Sequence, residues 1–135
     1  MTQLELISLA KQAAKNAYTP YSHFKVGAAL LTKSGKVYLG CNIENASYPA
    51  TNCAERTAFF KAVSEGEREF EAIAIVGGIE GNFTSYASPC GVCRQVMREF
   101  CDDGFKIILG RNDDEYIEDT LAGFLPYGFT NENLI

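Results

Sequence analysis

Apolar residues near the start of the chain recur at intervals of three and four positions, which is typical of one face of an α-helix. These apolar positions are Leu6, Leu9, Ala10, Ala13 and Ala17. Thr2, with Glu5 three residues later, matches a capping box, in which two side chains satisfy free N–H groups at a helix start. The pattern therefore predicts a first helix that runs to about Ala17 and ends before residues 19–22.

Three apolar stretches predict strands in the first two thirds of the chain. Residues 24–31 and 37–43 are separated by a turn sequence at residues 34–35, and together they predict a β-hairpin. Residues 72–76 are apolar at every position and are followed by two glycines. A continuous apolar run is typical of a strand that is covered on both faces, so we expect this strand inside a layered domain.

Two further helices are predicted after the hairpin, one at residues 54–64 and one that begins at residues 88–89. Each carries apolar residues at helical spacing, which should face the core. The predicted inward positions are Ala58, Phe59, Ala62 and Val63 in the first and Val92, Val96, Met97 and Phe100 in the second. Residues 106–109 and 115–118 predict two last strands, and residues 121–129 predict a tail with a brief helix.

This order of elements predicts the fold class. A helix, a hairpin and then alternating helices and strands are typical of an α/β domain, because strand-helix-strand passages join parallel strands by right-handed crossovers. We therefore expect residues 1–135 to form one three-layer α-β-α domain. Its five-stranded sheet should be mixed and mostly parallel.

Composition and charge exclude several classes of protein. The chain has 135 residues, of which 47% are hydrophobic, and this excludes intrinsic disorder. No apolar run approaches the roughly 20 residues that span a membrane, so no membrane partner is expected. The net charge is −5 and basic residues do not cluster, which favours a small substrate over a nucleic acid. The start lacks the pattern of a secretory signal, so we expect a cytoplasmic location.

Five cysteines make the metal chemistry of the chain the next question. An odd number without an export signal makes a disulfide framework improbable. Cys53, Cys90 and Cys93 have the spacing of metal ligands. The remaining two, Cys41 and Cys101, are predicted to lie in the core, where free cysteines are most often found.

The three metal-pattern cysteines lie at predicted helix starts, next to an acidic residue. Cys53 should begin the second helix, and Cys90 and Cys93 should lie in the first turn of the third, where positive dipole ends favour thiolates. A zinc ion with three protein ligands keeps its fourth position for water, and Glu55 is placed to move protons there. This spacing matches the zinc deaminase signature. The alternative is a closed structural site with a fourth thiolate from Cys41 or Cys101, which would leave Glu55 without a role.

Two other residues bear on this chemistry. Three thiolates give a zinc cluster a net charge of −1, and we hypothesise that the guanidinium of Arg56 donates to one or two of the ligand sulfurs. The alternative is an exposed helical arginine. His23 is the only histidine and is interpreted as a surface or edge residue, which leaves Ser/His/Asp catalysis without support.

Longer motifs extend the pattern beyond the thiols. They are Tyr21 to Ala29 (YSHFKVGAA), Gly40 to Tyr48 (GCNIENASY), Cys53 to Arg56 (CAER), Ser88 to Gln95 (SPCGVCRQ) and Leu125 to Phe129 (LPYGF). These motifs resemble the cytidine deaminase family, and the resemblance extends from the first helix to the tail, essentially the whole chain. The match is to its small, homotetrameric class in which all metal ligands are cysteines.

The resemblance implies a reaction and a set of roles. Cys53, Cys90 and Cys93 would hold one zinc ion per chain. Zinc hydroxide would attack C4 of cytidine or deoxycytidine with Glu55 as proton shuttle, giving uridine or deoxyuridine and ammonia in pyrimidine salvage. The implied substrate contacts are Phe24 stacking on the pyrimidine, Asn42 and Glu44 on the ribose hydroxyls, the Ala54 N–H on the ring carbonyl, the Ser88 carbonyl on the amine, and Tyr48 and Phe129 reaching a neighbouring subunit's pocket.

Three other functions remain as alternatives. A deaminase of another cytosine-bearing small molecule, such as the blasticidin type, would share the zinc chemistry, although the Asn42 and Glu44 pair favours nucleosides. A polynucleotide cytidine deaminase would need a basic groove, which this acidic chain lacks. A zinc-stabilised binding domain without catalysis is the alternative from a different class.

Overall fold

Helices and strands alternate through the described part of the chain. The structure is a computed structural model, and it describes residues 1–134. The helices are α1 (Gln3–Ala14), α2 (Ala54–Ser64), α3 (Gly91–Phe100) and α4 (Leu121–Phe124). The strands are β1 (Phe24–Thr32), β2 (Val37–Cys41), β3 (Phe70–Ile79), β4 (Lys106–Gly110) and β5 (Tyr116–Thr120). Short 3₁₀ turns lie at Tyr48–Ala50 and Asn131–Leu134.

The N-terminal cap of α1 forms as the sequence predicts. The hydroxyl of Thr2 accepts the N–H of Glu5 at 3.2 Å, so one free donor of the first turn is satisfied. The helix ends at Ala14, three residues before the predicted end at Ala17. Ala17 is still buried, but it lies in the turn that leads towards β1.

The sheet is mixed, but one expectation about it was wrong. Its strand order is β2-β1-β3-β4-β5. Of the four neighbouring pairs in the described sheet only β3 and β4 are parallel, so the sheet is mostly antiparallel rather than mostly parallel. The reason is that β1 is inserted between β2 and β3 and is antiparallel to both. Strands β2, β3 and β4 do run in one direction, as the strand-helix-strand passages predict.

Helices cover both faces of the sheet, which confirms the three layers. One face is covered by α1, and the buried sheet residues there are Ala29, Ala72, Ala74, Val76 and Ile108. The opposite face is covered by α2 and α3, and its buried sheet residues are Ala28, Leu30, Ile73, Ile75, Ile107 and Leu109. Because β1 and β3 are buried on both faces, their sequences are apolar at consecutive positions.

Strand β3 is longer than predicted, because its two glycines continue the strand instead of ending it. Gly77 pairs with Val26 in the antiparallel ladder with β1. A Cβ atom at Gly77 would lie 2.8 Å from the Ala87 side chain and 3.0 Å from the Phe24 ring. The missing side chain therefore leaves room for two residues that line the site described below.

A second close approach fixes the position of α2. A Cβ atom at Gly40 in β2 would lie 2.4 Å from the carbonyl oxygen of Ala54 and 2.5 Å from the amide nitrogen of Ala58. Only glycine therefore lets the first turn of α2 rest on this strand. The helix start that carries Cys53 is held against the sheet by this contact.

Helix α3 begins later than predicted, and of its four predicted inward residues Val96, Met97 and Phe100 do pack on the core. Cys90 is its N-cap, and the helix proper starts at Gly91 rather than at residues 88–89. Met97 and Cys93, one turn apart, face the core, whereas Val92 is 58% exposed, so the prediction that Val92 faces inward was wrong. No helix described within residues 1–134 has both the length and the hydrophobicity to cross a membrane.

Candidate active site

Two helix starts bring three thiols together on one side of the sheet. Cys53 is the N-cap of α2, Cys90 is the N-cap of α3, and Cys93 lies in the first turn of α3. The sulfur of Cys90 lies 3.8 Å from that of Cys53 and 3.5 Å from that of Cys93, and all three lie within 4.8 Å of one another. The predicted trio is therefore a spatial cluster.

The cluster fits one zinc ion. Zinc–sulfur bonds are about 2.3 Å long, so sulfurs around a tetrahedral zinc ion lie about 3.8 Å apart. The two measured sulfur distances, 3.8 and 3.5 Å, agree with that geometry. Thiolates are also the donors that favour zinc over harder cations.

The other two cysteines lie outside this cluster. Within residues 1–134, the group of three or more metal-ligating side chains comprises Cys53, Cys90 and Cys93 and leaves out Cys41 and Cys101. Both are half-buried: Cys101 packs against the core as predicted, whereas Cys41, at the end of β2, lies outside the core clusters, so its predicted core position was wrong. Neither position supports a closed site with four thiolates.

Electrostatics at the cluster favour a thiolate on Cys53. The pKa of Cys53 is lowered to about 5, first by a hydrogen bond from the Cys93 thiol and then by Arg56. The pKa of Cys93 is raised, since it keeps the proton that Cys53 accepts. Metal ligation requires deprotonated sulfur, so the lowered pKa of Cys53 favours binding of a cation at the start of α2.

Arg56 is half-buried and contacts the thiol cluster. Its Nη2 donates to the sulfur of Cys53 at 3.2 Å. The pKa of the guanidinium is raised by that hydrogen bond, and its Nε is buried without a hydrogen-bond partner among the described atoms. The geometry matches the hypothesised contact to one sulfur, and its effect on a bound metal stays a prediction.

Glu55 is a buried carboxylic acid beside the thiols. Its side chain lies on the inner side of α2 and is 4% exposed, unlike an ordinary helical glutamate. Burial raises the pKa of Glu55 to about 7, and the nearby charge of Cys53 acts in the same direction. A carboxyl that titrates near neutrality can both accept and donate protons at working pH.

A cavity of about 160 Å³ adjoins the cluster. Seven of the predicted site residues line it: Phe24, Asn42, Cys53, Ala54, Glu55, Ser88 and Cys90. The sequence reasoning missed five more lining residues: Val26, Thr51, Asn52, Ile75 and Ala87. Adjacency to predicted site residues could have indicated Asn52 and Ala87, whereas Val26 and Ile75 depend on the strand pairing.

Ala54 and Ser88, the two residues predicted to contact the substrate through their backbone, lie at the same cavity. Ala54 is the first residue of α2, and the N–H groups of a helix start have no intrahelical acceptor. Ser88 lies in the loop between β3 and α3, just before Pro89. Both residues line the cavity.

Asn42 joins the end of β2 to the start of β1. Its Oδ1 accepts the N–H of Val26 at 2.9 Å, and its Nδ2 donates to the carbonyl of Phe24 at 2.8 Å. An amide group offers two donors and two acceptor sites, so one of each remains for a ligand. These contacts fix the backbone of Phe24, whose ring lines the cavity.

Glu44 binds the loop before β1 and is not one of the cavity-lining residues. Its Oε1 accepts the N–H groups of Tyr21 at 2.9 Å and Ser22 at 3.2 Å, and its Oε2 accepts the hydroxyl of Ser22. These hydrogen bonds, that of the Ser22 hydroxyl first, lower the pKa of Glu44. Glu44 is therefore an ionised carboxylate held in one orientation.

Three further residues lie on the outside of the chain. Tyr48 is 75% exposed and Phe129 is 56% exposed, and neither lines the cavity. The carbonyl of Phe129 accepts a hydrogen bond from Gln95 at 2.9 Å. His23 is an exposed residue, as predicted, and its Nδ1 lies 3.1 Å from Glu80 Oε1.

The fold and the site together define the class of protein. Three converging thiols at helix starts, beside a buried acid of raised pKa and a small cavity, form the site of a metal-dependent hydrolase. The sequence model of one family, described as the cytidine and deoxycytidylate deaminase zinc-binding region, matches residues 1–109. The chain therefore belongs to the cytidine and deoxycytidylate deaminase family.

Similar proteins and a similar solved structure are also named cytidine deaminases. A cytidine deaminase of Sporosarcina psychrophila is 52% identical over 96% of this chain and 93% of its own length. A cytidine deaminase of Halalkalibacterium halodurans is 51% identical over 99% of this chain and 98% of its own. The crystal structure of a cytidine deaminase from Burkholderia pseudomallei superposes with a TM-score of 0.88 at 47% identity, covering 96% of this chain and all of that one.

Proposed function

We propose that this enzyme hydrolyses cytidine and deoxycytidine to uridine and deoxyuridine, with release of ammonia, and that it serves pyrimidine salvage. The observation that carries the proposal is the buried carboxyl of Glu55 beside the Cys53 thiol in a cavity that Phe24 also lines. The relatives named above as cytidine deaminases support the choice of substrate.

The proposed cofactor is one zinc ion per chain, held by Cys53, Cys90 and Cys93. When bound, zinc supplies Lewis acidity, which lowers the pKa of water towards neutrality and makes it a better nucleophile. The thiol spacing and the low pKa of Cys53 support this assignment.

Glu55 moves the protons of the reaction. Its carboxylate takes a proton from the attacking water and passes it to N3 of the pyrimidine. It then takes the proton of the new hydroxyl on C4 and delivers it to the amine on C4. The C–N bond breaks, the C4 carbonyl forms, and the products are uridine and ammonia. A pKa of about 7 suits both directions of transfer at neutral pH.

Groups at the cavity orient the base. The Ala54 N–H donates to the ring carbonyl, and the Ser88 carbonyl accepts from the exocyclic amine that leaves. The ring of Phe24 stacks on the pyrimidine, which an aromatic side chain at a cavity wall can do. These contacts hold C4 next to the thiol cluster and keep N3 within reach of Glu55.

Asn42 and Glu44 recognise the sugar. In this proposal the free donor and acceptor of the Asn42 amide and the Glu44 carboxylate bind the ribose hydroxyls, principally the 3′-OH. Their support is the arrangement of hydrogen bonds that holds both side chains rigidly beside Phe24. A preorganised pair loses little entropy when a hydroxyl binds.

The proposed assembly is a homotetramer with shared active sites. Tyr48 and Phe129 would each reach the cavity of a neighbouring subunit. Their exposure, 75% for Tyr48 and 56% for Phe129, leaves both side chains accessible to a neighbouring subunit. Residues 1–135 would form one catalytic domain, active in the cytoplasm on a free nucleoside and not on nucleic acid or at a membrane.

One experiment tests the reaction and the cofactor together. Purified enzyme is assayed for ammonia release from cytidine, deoxycytidine, blasticidin S and a cytosine-containing oligonucleotide, and its zinc is counted per chain. We expect turnover of the two nucleosides and one zinc per chain. Turnover confined to blasticidin S or to the oligonucleotide, or a zinc-containing protein without turnover, would replace this proposal by one of the alternative functions.

A further inference from the structure

The hydroxyl of Ser22 lies between two parts of the proposed nucleoside site. Its Oγ donates to Oε2 of Glu44 and accepts the N–H of Phe24 at 3.0 Å. The N–H of the same residue donates to Oε1 of Glu44 at 3.2 Å. Ser22 therefore contacts both oxygens of one carboxylate and the backbone of the adjacent aromatic residue.

We propose that Ser22 is a positioning residue that sets the orientation of Glu44 for the sugar and of Phe24 for the base. This inference deepens the proposed function and rests on it, because it takes Glu44 as the group that binds the 3′-hydroxyl. Ser22 acts through these two residues and does not touch the substrate itself.

The hydrogen bonds to Glu44 explain why the carboxylate needs this serine. An ionised carboxylate has about four acceptor sites, and three are filled by the Tyr21 N–H, the Ser22 N–H and the Ser22 hydroxyl. One site is left for a hydroxyl of the ligand. A free glutamate side chain loses rotamer entropy when it is fixed. Ser22 removes that cost before the nucleoside arrives.

The same hydroxyl fixes the start of β1. The N–H of Phe24 is held by Ser22 and its carbonyl by Asn42, so both backbone groups of this residue are tied to residues of the sugar side. A residue at a strand end would otherwise fray. The base-stacking ring and the hydroxyl-binding carboxylate are thus parts of one hydrogen-bonded network.

A simpler explanation is that Ser22 only stabilises the loop. A serine hydroxyl that accepts an N–H two residues later is a common turn motif. If this were its only role, removal of the hydroxyl would lower stability without changing substrate selection. The two explanations differ in one respect. Loss of a positioning residue should weaken binding of a nucleoside with a 3′-hydroxyl more than binding of one without it.

The test compares two substitutions of nearly equal shape. Ser22 is exposed, so the extra methyl groups of Ser22→Thr and Ser22→Val have room, and only Thr keeps the hydroxyl. Each zinc-loaded variant is assayed with cytidine and with 3′-deoxycytidine. Ser34→Ala, which removes a hydroxyl bonded to Thr32 in the distant β1–β2 turn, is the control.

We expect Ser22→Val to raise KM for cytidine about tenfold with little change in kcat, because a hydrogen bond to a charged group is lost. The KM for 3′-deoxycytidine should rise less than about threefold, through Phe24 alone. Ser22→Thr and Ser34→Ala should stay within about twofold of the parent on both substrates. Melting temperature and zinc content establish that each variant is folded, and if Ser22→Val does not fold, Ser22→Ala takes its place against Ser22→Thr.

Two results overturn the inference and differ in what else they affect. In the first result, Ser22→Val raises KM equally for cytidine and 3′-deoxycytidine, whereas Glu44→Gln raises KM selectively for cytidine. The sugar contact of Glu44 would then stand, and Ser22 would only stabilise the loop. Equal losses of Glu44→Gln on both substrates would remove Glu44 from the sugar site. In that case the proposed ribose contact fails first, and the role of Ser22 fails with it.

Discussion

The guanidinium of Arg56 donates from Nη2 to the sulfur of Cys53 across 3.2 Å. Arg56 follows the buried acid Glu55 on α2, so a fixed positive charge touches the proposed metal ligand Cys53 one residue away from the proposed proton shuttle. Three thiolates would overcompensate the charge of a zinc ion. In the proposed zinc site the arginine would offset part of that excess and keep the metal acidic enough to activate water.

The first prediction concerns this contact. Arg56→Ala should lower kcat roughly tenfold to a hundredfold, since removal of a hydrogen bond to a ligand typically has an effect of that size. The pH at which activity reaches half its plateau should rise, because uncompensated thiolates make the bound water less acidic. The measurements are kcat as a function of pH and zinc affinity by competition with a chelator.

A matched control separates this effect from the loss of any arginine. Arg68, in the loop after α2, donates to the backbone carbonyls of Val63 and Glu67, and these are its side-chain hydrogen bonds among residues 1–134. Arg68→Ala should leave the pH profile unchanged. If Arg56→Ala gives the same profile as Arg68→Ala, the contact with Cys53 has no electrostatic role.

The second prediction concerns the proton shuttle. Glu55→Gln keeps the shape of a side chain that is 4% exposed and replaces an acid by a neutral amide. We expect a folded protein with one zinc per chain and a loss of at least about 10³-fold in kcat, since general acid–base catalysis contributes 10²–10⁴-fold and Glu55 serves two transfers. Residual turnover within tenfold of the parent would show that another group moves the protons.

The third prediction concerns the glycine under α2. Gly40→Ala would place a methyl group 2.4 Å from the Ala54 carbonyl oxygen, so α2 must shift away from β2. We expect a loss of about 1–3 kcal/mol in unfolding free energy and reduced zinc content, because the start of α2 carries Cys53. Chemical unfolding and metal analysis measure both effects.

Gly104→Ala is the control for that substitution. A Cβ atom at Gly104 would meet only the Asp102 carboxylate oxygen, at 3.6 Å, which is an ordinary contact. This variant should keep its zinc and its stability. A Gly40→Ala protein as stable and as zinc-rich as Gly104→Ala would contradict the close packing of α2 on β2.

The fourth prediction concerns pH and Glu44. The folded-state pKa of Glu44 is lowered from 4.5, chiefly by the hydrogen bond from Ser22. A lowered carboxyl pKa contributes stability that is present above the unfolded value and is lost as the pH falls through the folded value. The parent should therefore exceed Glu44→Gln in unfolding free energy at pH 6, and this difference should shrink below pH 4.5. A difference that grows on acidification would have the wrong sign for this network.

Local sequence signals were sufficient for much of the fold. The structure has α2 at Ala54–Ser64, with the same bounds that the pattern predicts, because its start is marked by Cys53 and its end precedes Gly66. The cap of α1 by Thr2 was equally local. These features depend on side chains within one turn of each other, which the linear sequence displays directly.

Pairing between distant strands could not be predicted in the same way. The insertion of β1 between β2 and β3 depends on contacts more than 40 residues apart, such as the pairing of Ala28 with Ile75. No turn signal encodes that choice, so the sheet was expected to be mostly parallel. The prediction that the Val92 side chain faces the core was wrong for a related reason. The side of α3 that faces inward depends on where Cys93 meets the other thiols.

The candidate site was partly visible in the sequence. The sequence spacing predicted the three thiols and Glu55. Cys53 and Glu55 lie within one turn at the start of α2, and Cys90 and Cys93 lie within one turn at the start of α3. The burial of Glu55 and the contact from Arg56 to Cys53 required the structure. Ser22 was missed altogether, since a serine in a loop gives no signal until its partner Glu44, 22 residues later, is placed beside it.

The most direct measurement is zinc-edge X-ray absorption on the purified enzyme, combined with a zinc count per chain. Our account predicts one zinc per chain, bound by three sulfur atoms at about 2.3 Å and one oxygen atom. A shell of four sulfur atoms, or a preparation without zinc that still releases ammonia from cytidine, would contradict it.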